Sequence, residues 1–406
     1  MKILQINSVC GIGSTGRIAT DLYKVLKDQG HECKIAYGRG IAPEGIDSIK
    51  IGSNLDNYMH VFKTRVFDKH GFGSVNATKK FIEKVKSYDP DIIHLHNIHG
   101  YYINIEILFN YLKEENKPVV WTLHDCWAFT GHCSHFDYIG CDKWRNGCSN
   151  CIQKNEYPSS KVIDSSKFNH EKKKELFTSV KNMTIVTPSK WLANLVNESF
   201  LGKYPVKVIN NGIDLEVFKP TKSNFREIYN LQDKFIVLGV ASVWSEKKGL
   251  KYLVELSEKL SDSHKIVIVG VDEKQKKELP QNIIAITKTN NLRELSKIYT
   301  TADVFVNTTL QEVMGLVNVE SLSCGTPVIT FNTGGSIECI DKTTGIVVEK
   351  ENVNQVVEAI NLIKYDTSFN YDSETCINRS IKLYDKNINF NRYLNIYDQI
   401  LRNDSR

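Results

Sequence analysis

Long apolar runs are missing from this sequence of 406 residues. A helix that spans a bilayer needs about 18 or more consecutive apolar residues, and no such run occurs. The opening residues, MKILQINS, also lack the continuous apolar core of a signal peptide. The ten cysteines are then expected to be reduced thiols rather than a disulfide framework. Together these absences predict a cytoplasmic protein.

A strong charge of either sign is absent too. The formal net charge is +5 and the sequence pI is about 8.5. This balance suits an anionic ligand but is too weak to indicate a nucleic-acid partner. Two lysine-rich stretches, Lys79–Lys86 and His170–Phe177, lie in the first half of the chain. Each is either an ordinary solvated helix face or a surface for peripheral contact with the inner face of a membrane.

Strand-like apolar runs alternate with helix-like periodicity along the whole chain. The alternation starts at Ile3–Ser8 and begins again at Phe235–Ser242, after a seam near Asp214–Pro220. Such alternation is typical of a parallel sheet covered by helices on both faces. The sequence therefore predicts an α/β protein with two doubly wound, Rossmann-like domains facing a central cleft. The predicted domains are 1–215 and 216–385, followed by a helix over 386–406 that packs back on the first domain.

A glycine-rich turn follows the first predicted strand but lacks the acidic partner of a dinucleotide site. Gly11, Gly13 and Gly16 fit G-x-G-x-x-G, and helical spacing follows them. An NAD site would also need a carboxylate at the end of the second strand to hold the ribose, whereas residues 37–40 read YGRG. NAD binding is therefore disfavoured, and Gly13 is predicted to contact a phosphate or another part of a substrate. The alternative is a tight strand-to-helix turn without a ligand.

The stretch TTLQEVMGLVNVESLSCGTPVITFNTGGSIE carries the strongest local signal. Glu312 and Glu320 are separated by seven residues, and Gly315 between them is predicted to begin a helix. Free backbone amides of Gly315, Leu316 and Val317 would then lie at a helix N-terminus, where a diphosphate is favoured. Glu320, about one turn further along, is placed to accept hydrogen bonds from ribose hydroxyls. The alternative is that both glutamates are solvated on the helix surface.

The combination of motifs resembles a known family. E-x7-E followed by CGTPVI and G-G-x-x-E resembles the donor-binding region of the family-4 retaining glycosyltransferases, which have the GT-B fold. Further stretches occur in that family's order and extend the resemblance over nearly the whole chain; they are PDIIHLH, TLHD, TPSKWL, NNGIDLEVFKP and KKGLKYLVEL. The resemblance implies a retaining hexosyltransferase that moves a sugar from a nucleotide-diphosphate sugar to a hydroxyl of a glycan or lipid-linked glycan. It also implies a place in surface polysaccharide or exopolysaccharide biosynthesis, with no metal required for catalysis.

The resemblance assigns roles to individual residues of the second half. Glu320 resembles the glutamate that holds the nucleotide ribose, and Glu312 resembles the glutamate near the hydroxyls of the donor sugar. Lys248 matches the lysine that binds donor phosphate. It precedes a helix that is predicted to start at Gly249–Leu250. A cation near a helix N-terminus is unfavourable, and a bound anion would offset that cost. One position departs from the family, because Ser242 stands where an arginine is usual. For Lys248 the alternative is an ordinary solvated lysine.

His124 and Asp125 end a predicted strand in VVWTLHDCW. His124 aligns with a histidine that in the family contacts the donor sugar and influences acceptor activation. Asp125 is predicted either to orient His124 or to accept a proton itself. His94 and His96 alternate along another predicted strand, so they are expected to face opposite sides of the sheet. For His124, a purely structural role at the strand end is the alternative.

Half of the cysteines lie in one insertion-like segment, residues 126–151. Its last pair has the C-x2-C spacing with which two thiolates reach one tetrahedral zinc. The other spacings are looser than in a standard zinc finger. A structural zinc site is one hypothesis, and buried reduced thiols or an adventitious disulfide are the others. The zinc ligands of the first hypothesis are Cys133, Cys141, Cys148 and Cys151.

Two functions of other classes remain open at this point. A nucleotide-sugar epimerase of similar two-domain build would bind the same donor but release an altered nucleotide sugar without any acceptor. A non-catalytic protein that binds sugar nucleotides would show no turnover. The full set of transferase-like stretches disfavours the first function. The presence of Glu312, Glu320 and Lys248 disfavours the second.

Overall fold

The computed structural model describes residues 1–366 and 371–404. The chain folds into two compact units. The first comprises Met1–Ile209 and Phe390–Arg406, and the second comprises Asn210–Asn389. The sequence analysis predicted domains that end at residues 215 and 385. The corresponding segments of the two units end at Ile209 and Asn389, a few residues away in each case.

The first unit is built on a parallel sheet that has the first strand in its interior. Ile3, Leu4 and Ile6 of that strand are fully buried. A strand that is covered on both faces needs such an apolar run. In chain order the strands are β1 (Lys2–Val9), β2 (Glu32–Arg39), β3 (Ser48–Lys50), β4 (Ile92–Leu95), β5 (Val119–Thr122), β6 (Met183–Thr187) and β7 (Val206–Val208), and their order across the sheet is β3-β2-β1-β4-β5-β6-β7.

Helices connect most of these strands. In the first helix Ile18, Leu22 and Leu26 recur every four residues and are buried, so they form its packed face. Gly30 follows with φ +78°, a left-handed conformation that commonly terminates helices. The helices before residue 210 are α1 (Gly13–Asp28), α2 (Asn54–Phe67), α3 (Val75–Tyr88), α4 (Ile105–Glu115), α5 (Ser166–Phe177) and α6 (Lys190–Glu198).

The second unit has its own parallel sheet. The strands are β8 (Phe235–Val240), β9 (His264–Val269), β10 (Ile283–Ile286), β11 (Val304–Asn307), β12 (Val328–Phe331) and β13 (Gly345–Val348), in the order β10-β9-β8-β11-β12-β13. The strand order reverses between β8 and β11, and in such sheets ligands bind at the carboxyl ends of the strands on either side of the reversal. The helices are α7 (Phe225–Ile228), α8 (Leu250–Lys259), α9 (Glu273–Glu278), α10 (Leu292–Thr301), α11 (Leu316–Ser323), α12 (Val353–Tyr365) and α13 (Ser373–Tyr384).

The last helix, α14 (Lys386–Asp404), supplies part of the core of the first unit. Phe390, Tyr393 and Tyr397 are buried and recur every three or four residues, so they lie on one helix face. They pack in the same apolar cluster as Ile3 and Leu26. Within residues 1–366 and 371–404, neither α14 nor any other helix is long and apolar enough to cross a membrane.

The cysteine-rich segment lies in the long connection between β5 and α5. All of residues 123–165 are described, and the helical structure in this connection is limited to three 3-10 turns. The turns are Trp127–Phe129, Asp137–Ile139 and Lys143–Arg145. Connections longer than about 12–15 residues without regular structure are uncommon and are usually functional. This connection is therefore a candidate for a role beyond joining two elements.

Candidate functional site

Two loops of the second unit meet beside the strand-order reversal. Lys248 lies in the turn after β8, and Glu312 lies in the loop after β11. The loops are joined by backbone contacts, since the Leu310 amide donates to the Lys247 carbonyl at 2.8 Å. The Thr308 hydroxyl also donates to the Gly249 carbonyl at 3.0 Å. The fold therefore holds the lysine and the glutamate at the carboxyl edge of one sheet.

Lys248 and Glu312 form an ion pair. Lys248 Nζ lies 2.8 Å from Glu312 Oε2, and the side chains are 38% and 21% exposed. The Val313 amide donates to the other carboxylate oxygen at 3.1 Å. An anion that reaches Lys248 would have to compete with a carboxylate already in place. Lys248 is therefore not the freely solvated lysine of the alternative interpretation.

A pair of glycines positions the Glu312 backbone. The Gly335 amide donates to the Glu312 carbonyl at 3.2 Å. Gly334 has φ +50°, and a Cβ at this position would collide with that same carbonyl oxygen. The glycines of the GGSIE motif are therefore needed for the close approach of the two loops.

Gly315 caps α11, as the sequence analysis predicted for the start of this helix. A Cβ on Gly315 would lie 2.9 Å from Asn318 Nδ2 and 3.0 Å from Ser336 Oγ, so the cap leaves no room for a side chain. The prediction of three free amides is wrong at Leu316, whose amide donates to the Met314 carbonyl at 2.9 Å. The short turn before the helix uses that donor. Gly315 and Val317 keep their places as candidate anion contacts at this helix end.

Glu320 is oriented by a buried tyrosine. Tyr299 is fully buried in α10, and its hydroxyl donates to Glu320 Oε2 at 3.0 Å. The carboxylate is half-buried rather than solvated on the outside of the helix. Ser242, in the position where the family usually has arginine, is exposed. Trp244 in the same loop is buried and donates to the Val269 carbonyl at 2.9 Å, so its role is packing.

In the first unit His124 is joined to a buried histidine. His124 Nε2 and His96 Nδ1 are 3.2 Å apart, and the rings are stacked with their centroids at 5.4 Å. Burial lowers the pKa of His124 to about 4 and lowers the pKa of His96 well below its usual value. Both imidazoles are therefore neutral at physiological pH.

The hydrogen-bond chain fixes which nitrogen of each imidazole carries the proton. Gln5 Nε2 donates to the Ala19 carbonyl, so Gln5 Oε1, 3.0 Å from His96 Nε2, accepts a hydrogen bond from the N–H at that nitrogen. In a neutral imidazole His96 Nδ1 is then the acceptor, and His124 Nε2 is the donor to it. His124 Nδ1 consequently carries a lone pair. This nitrogen can accept a hydrogen bond from a hydroxyl group.

Asp125 does not orient His124, contrary to one of the two predicted roles. Its Oδ2 lies 2.8 Å from His99 Nε2, and its Oδ1 accepts from the Trp127 amide at 2.9 Å. Burial raises the pKa of Asp125, but the charge and hydrogen bond of His99 outweigh burial and lower it to about 2. A carboxylate that is so acidic is a poor proton acceptor near neutral pH. The ring of His99 also bonds to the Tyr157 hydroxyl at 3.1 Å, so Asp125 holds a buried network together.

His94 and His96 do not face opposite sides, which corrects the sequence expectation. Their rings are stacked with centroids 4.2 Å apart, and both side chains are buried. β4 ends at Leu95, so the alternation of side chains stops before His96. His94 belongs to the core, where it bonds to Tyr397 and Thr122.

The glycine turn after β1 is a tight turn whose backbone conformation glycine adopts readily. Gly11 and Gly13 have φ +73° and +64°, and the Gly11 amide donates to the Gly16 carbonyl at 3.1 Å. A Cβ on Gly13 would meet no atom within 4 Å. The space above Gly13 is therefore open, and α1 begins at this residue. An approaching anion would meet the N-terminus of α1 here.

The lysine-rich stretch of α5 is not a basic surface. Lys173 is 1% exposed, and its Nζ donates to the carbonyls of Trp127 at 2.8 Å and Thr130 at 3.1 Å. Burial lowers the pKa of Lys173 to about 7. Lys172 pairs with Glu106 and Glu175 at 3.1 Å each. Of the two alternatives for this stretch, the membrane-facing surface is therefore disfavoured in α5.

The predicted zinc ligands line one cavity. Cys133, Cys141, Cys148 and Cys151 are all in its wall. A hydrogen bond between the thiols of Cys133 and Cys151 lowers the pKa of Cys151 and raises that of Cys133. Across the described ranges, no group of three or more His, Cys, Asp or Glu side chains is arranged to hold a metal ion. The structure therefore gathers the four thiols without forming a finished ligand set.

Two partners of the predicted site residues escaped the sequence analysis. Tyr299 carries no local signal, because its contact with Glu320 joins two helices. His99 follows His94 and His96 in HLHNIHGYY, and this third histidine of the stretch was a visible signal. Its pairing with Asp125 depends on the neighbouring connections after β4 and β5.

Comparison with protein families shows to which family the chain belongs. A profile described as Glycosyltransferase Family 4 matches residues 15–217, which is half of the chain. This chain belongs to glycosyltransferase family 4. A second profile, described as Glycosyl transferases group 1, matches residues 221–380. The resemblance of the sequence motifs to this family is thereby confirmed.

Relatives of this family-4 glycosyltransferase are known over most of its length. It is 27% identical over 379 residues to an Escherichia coli K12 protein named as a colanic acid biosynthesis glycosyl transferase, WcaC; 88% of this chain and 90% of the relative are covered. It is also 27% identical over 207 residues to the Escherichia coli UDP-Gal:α-D-GlcNAc-diphosphoundecaprenol α-1,3-galactosyltransferase, covering 46% of this chain and 52% of the relative.

Solved structures share the fold of this family-4 glycosyltransferase. Sucrose-phosphate synthase of Thermosynechococcus elongatus superposes with a TM-score of 0.73 at 17% identity, covering 99% of both chains. HepE of Anabaena in complex with UDP-glucose superposes with a TM-score of 0.65 at 16% identity, covering 100% of this chain and 99% of the other. The predicted GT-B fold class, with two parallel-sheet α/β units, is confirmed.

Proposed function

We propose that this family-4 glycosyltransferase is a retaining hexosyltransferase of polysaccharide biosynthesis. It moves a hexose-type sugar from a nucleotide-diphosphate sugar to a hydroxyl group of a glycan or lipid-linked glycan. The observation that carries the proposal is the ion pair of Lys248 and Glu312 next to the N-terminus of α11. A cation, a carboxylate and a helix end together provide complementary contacts for a diphosphate and a sugar.

Each group has a distinct task in the second unit. The ammonium of Lys248 and the amides of Gly315 and Val317 stabilise the negative charge that develops on the leaving diphosphate. Glu312 accepts hydrogen bonds from hydroxyls of the donor sugar. Glu320, oriented by Tyr299, accepts hydrogen bonds from the ribose.

The proposed reaction retains the configuration at the anomeric carbon. The bond between that carbon and the diphosphate oxygen breaks, and a bond to the acceptor oxygen forms on the same face of the sugar. The acceptor proton passes to an oxygen of the leaving diphosphate. Asp125 is unsuited to take that proton because its pKa is lowered to about 2. Neutral His124 accepts a hydrogen bond from a sugar hydroxyl through Nδ1.

The names of relatives support the donor and acceptor classes. HepE is described in complex with UDP-glucose. The Escherichia coli galactosyltransferase is named for a UDP-galactose donor and an acceptor linked to diphosphoundecaprenol. WcaC is named for colanic acid biosynthesis. We therefore propose a nucleotide-sugar donor and an acceptor glycan that is carried on a lipid.

A lipid-linked acceptor would be met at the cytoplasmic face of a membrane, and α2 and α3 suit peripheral contact. Lys79, Lys80, Lys84 and Lys86 are exposed on α3. Leu55, Tyr58, Met59 and Phe62 are between 51% and 73% exposed on α2. Apolar side chains at such helical spacing insert shallowly into a bilayer, and lysines attract anionic lipids. Sedimentation with anionic vesicles, reduced in a Leu55→Ser/Phe62→Ser variant, would support the contact, whereas equal sedimentation of both proteins would contradict it.

The central experiment measures donor binding and turnover together. Thermal unfolding of the wild type is recorded with UDP-, GDP- and ADP-sugars, and sugar transfer is followed with a lipid-linked glycan acceptor. We expect stabilisation by the sugars of one nucleotide, loss of that stabilisation in Glu320→Ala, and its retention in Glu258→Ala. Glu258 is an exposed glutamate on α8 and serves as the matched control.

Three outcomes would contradict the proposal. Equal stabilisation of the wild type and Glu320→Ala by the same nucleotide sugar would remove Glu320 from the site. An inverted anomeric configuration in the product, determined by NMR, would exclude the retaining reaction. A donor that is consumed without any acceptor and released as an altered nucleotide sugar would indicate an epimerase instead.

A further inference from the structure

The cavity in the cysteine-rich connection has a composition that the transfer reaction does not use. The sulfur-bearing residues of its wall are Cys133, Cys141, Cys148 and Cys151. Cys126 belongs to the same sequence segment but is not in this wall. The fold thus brings together four of the five thiols of the segment.

We propose that Cys133, Cys141, Cys148 and Cys151 bind one structural zinc ion that orders the connection between β5 and α5. Zinc in structural sites takes four ligands in a tetrahedron, and four thiolates are one of its common sets. Binding replaces the four thiol protons, which pass to solvent. The centre that forms has four zinc–sulfur bonds and a net charge of two minus.

Nitrogen groups around the cavity either already bond to one of its sulfurs or lack a partner that a metal–thiolate centre would supply. The Gly131 amide already donates to Cys148 Sγ at 3.1 Å. Trp144 is 2% exposed, and its Nε1 has no hydrogen-bond partner among the described residues. Leaving a buried donor unpaired costs about 1–3 kcal/mol, and metal-bound thiolates are better acceptors than neutral thiols.

His132 is the second unpaired group in this wall. Its Nδ1 bonds to Asp68 Oδ1 at 2.6 Å, and both side chains are 1% exposed. Its Nε2 is buried without a partner in the described part of the chain. Two buried nitrogens without partners therefore belong to residues that line a cavity with four sulfurs. They point to a group that completes this site.

The charge beside the cavity also favours a negative centre. The buried amine of Lys173 donates to the carbonyls of Trp127 and Thr130, which lead into the cysteine loop. A buried cation is costly unless a negative group offsets it. A zinc tetrathiolate beside Thr130, which lines the cavity and whose carbonyl binds Lys173, would supply that negative charge.

A metal also explains how this connection keeps a defined structure. Short 3-10 turns are the only helical structure across residues 123–165, all of which are described. In such segments, metal binding commonly provides the free energy that ordered secondary structure does not. The Cys133 and Cys151 thiols are hydrogen-bonded to each other, and no three His, Cys, Asp or Glu side chains of the described residues are arranged around one centre. Zinc binding would replace that hydrogen bond.

The test uses the full-length chain purified under reducing conditions. Zinc is measured by elemental analysis in the wild type, in four single Cys→Ser variants at positions 133, 141, 148 and 151, and in Cys126→Ser as the matched control. We expect one zinc per chain in the wild type and the control, and at least a tenfold loss in each of the four variants. Circular dichroism identifies any variant that fails to fold.

A second measurement keeps the proposal testable if the variants unfold. Cobalt(II) alone is added to wild-type protein from which metal has been removed with a chelator. We expect the visible bands of tetrahedral cobalt and the near-ultraviolet band of cobalt–thiolate bonds. A folded, reduced protein that contains no zinc and gives no such bands would overturn the proposal, as would a Cys133–Cys151 disulfide found by mass spectrometry in the purified protein before any chelator is added.

The ligand set is tested separately with His132→Gln. Zinc is expected to remain in this variant and to be lost in Cys141→Ser. The opposite result would overturn the assignment of four thiolates. Equal loss in Cys126→Ser and Cys148→Ser would show that the cavity is not the metal site.

Discussion

Lys248 Nζ lies 2.8 Å from Glu312 Oε2, so the cation assigned to the donor phosphates is already paired with the carboxylate assigned to the donor sugar. Each group is partly exposed, and such pairs contribute only about 0.2–1 kcal/mol. A diphosphate that carries two or more negative charges can therefore displace the carboxylate from the lysine. The displaced Glu312 is then available to the hydroxyls of the sugar.

Glu312→Gln should separate phosphate binding from sugar transfer. Removing the carboxylate charge frees Lys248, so we expect the free nucleoside diphosphate to bind about 1.4- to 5-fold more tightly. Transfer should slow because an ionised acceptor for sugar hydroxyls is lost. Calorimetric titration with the nucleoside diphosphate and an assay of turnover measure the two effects. Glu258→Gln is the exposed control, and weaker diphosphate binding in Glu312→Gln would contradict the competition.

Lys248→Ala should have the opposite effect on diphosphate binding. It removes charge-assisted hydrogen bonds worth about 1.5–3 kcal/mol, which is roughly a 10- to 150-fold loss of affinity. The same titration measures this loss, with Lys274→Ala on exposed α9 as the control. An affinity unchanged from the wild type would remove Lys248 from the phosphate site.

Tyr299→Phe should affect donor binding through the orientation of Glu320. The variant removes the hydroxyl that donates to Glu320 Oε2 but keeps the buried ring. We expect the KM for the donor to rise by roughly 2- to 12-fold, since one hydrogen bond is worth about 0.5–1.5 kcal/mol, with a smaller change in kcat. Tyr229→Phe, which removes a partly exposed hydroxyl in the same unit, should change neither constant. A fall in kcat at constant KM would contradict a positioning role in donor binding.

Local patterns were sufficient to predict the features that depend on local physics. The apolar run at the start of β1, the helix start at Gly315 and the turn before α8 depend on hydrophobic periodicity and glycine. The same patterns, read together, indicated two parallel-sheet units and the family. These features are encoded within a few residues of each other, so one sequence suffices to recognise them.

Features that depend on long-range contacts could not be predicted in this way. The pairing of Asp125 with His99 joins two loops, and the burial of Lys173 in a lysine-rich helix depends on the cysteine-rich connection packed against it. The stacking of His94 on His96 depends on where β4 ends, and strand ends are poorly marked in sequence. In each case the partner is chosen by the fold and not by neighbours in the chain.

His124→Ala and His124→Asn should differ if Nδ1 accepts a hydrogen bond. Asparagine can place an acceptor near the position of Nδ1, whereas alanine cannot. We expect kcat/KM to fall roughly 2- to 12-fold in His124→Ala, and to fall less in His124→Asn. Nitrogen NMR of the wild type should find the proton of His124 on Nε2. A proton on Nδ1, or equal losses in both variants, would contradict the assigned tautomer.

His60 should make the first unit less stable in acid. Its Nε2 accepts from the Gly71 and Gly73 amides, and burial lowers its pKa to about 3. In the unfolded chain the pKa of His60 is near 6.5. At a pH between about 3 and 6.5, the imidazole is therefore protonated in the unfolded chain but not in the folded protein. The contribution to stability is therefore complete above pH 6.5 and falls on acidification by up to roughly 1.4 kcal/mol per pH unit. Urea unfolding from pH 7.5 to 4.5 should show a shallower pH dependence in His60→Gln, and an identical slope would contradict this.

Tyr397→Phe should loosen the contact between α14 and the core of the first unit. Thr122 Oγ1 donates its hydrogen to the Tyr393 hydroxyl, so Thr122 Oγ1 is the acceptor for His94 Nε2. Because His94 then carries its proton on Nε2, His94 Nδ1 accepts from the Tyr397 hydroxyl at 2.6 Å. Removing the Tyr397 hydroxyl leaves a buried acceptor unpaired, which should lower the free energy of unfolding by about 1–3 kcal/mol. Tyr58→Phe, whose hydroxyl is on an exposed side chain, should change it by less than about 0.5 kcal/mol. Urea unfolding at pH 7.5 measures both. A buried Nδ1 that loses its partner cannot bond to solvent instead. Equal stability of the two variants would therefore show that the hydrogen bond between Tyr397 and His94 does not stabilise the fold.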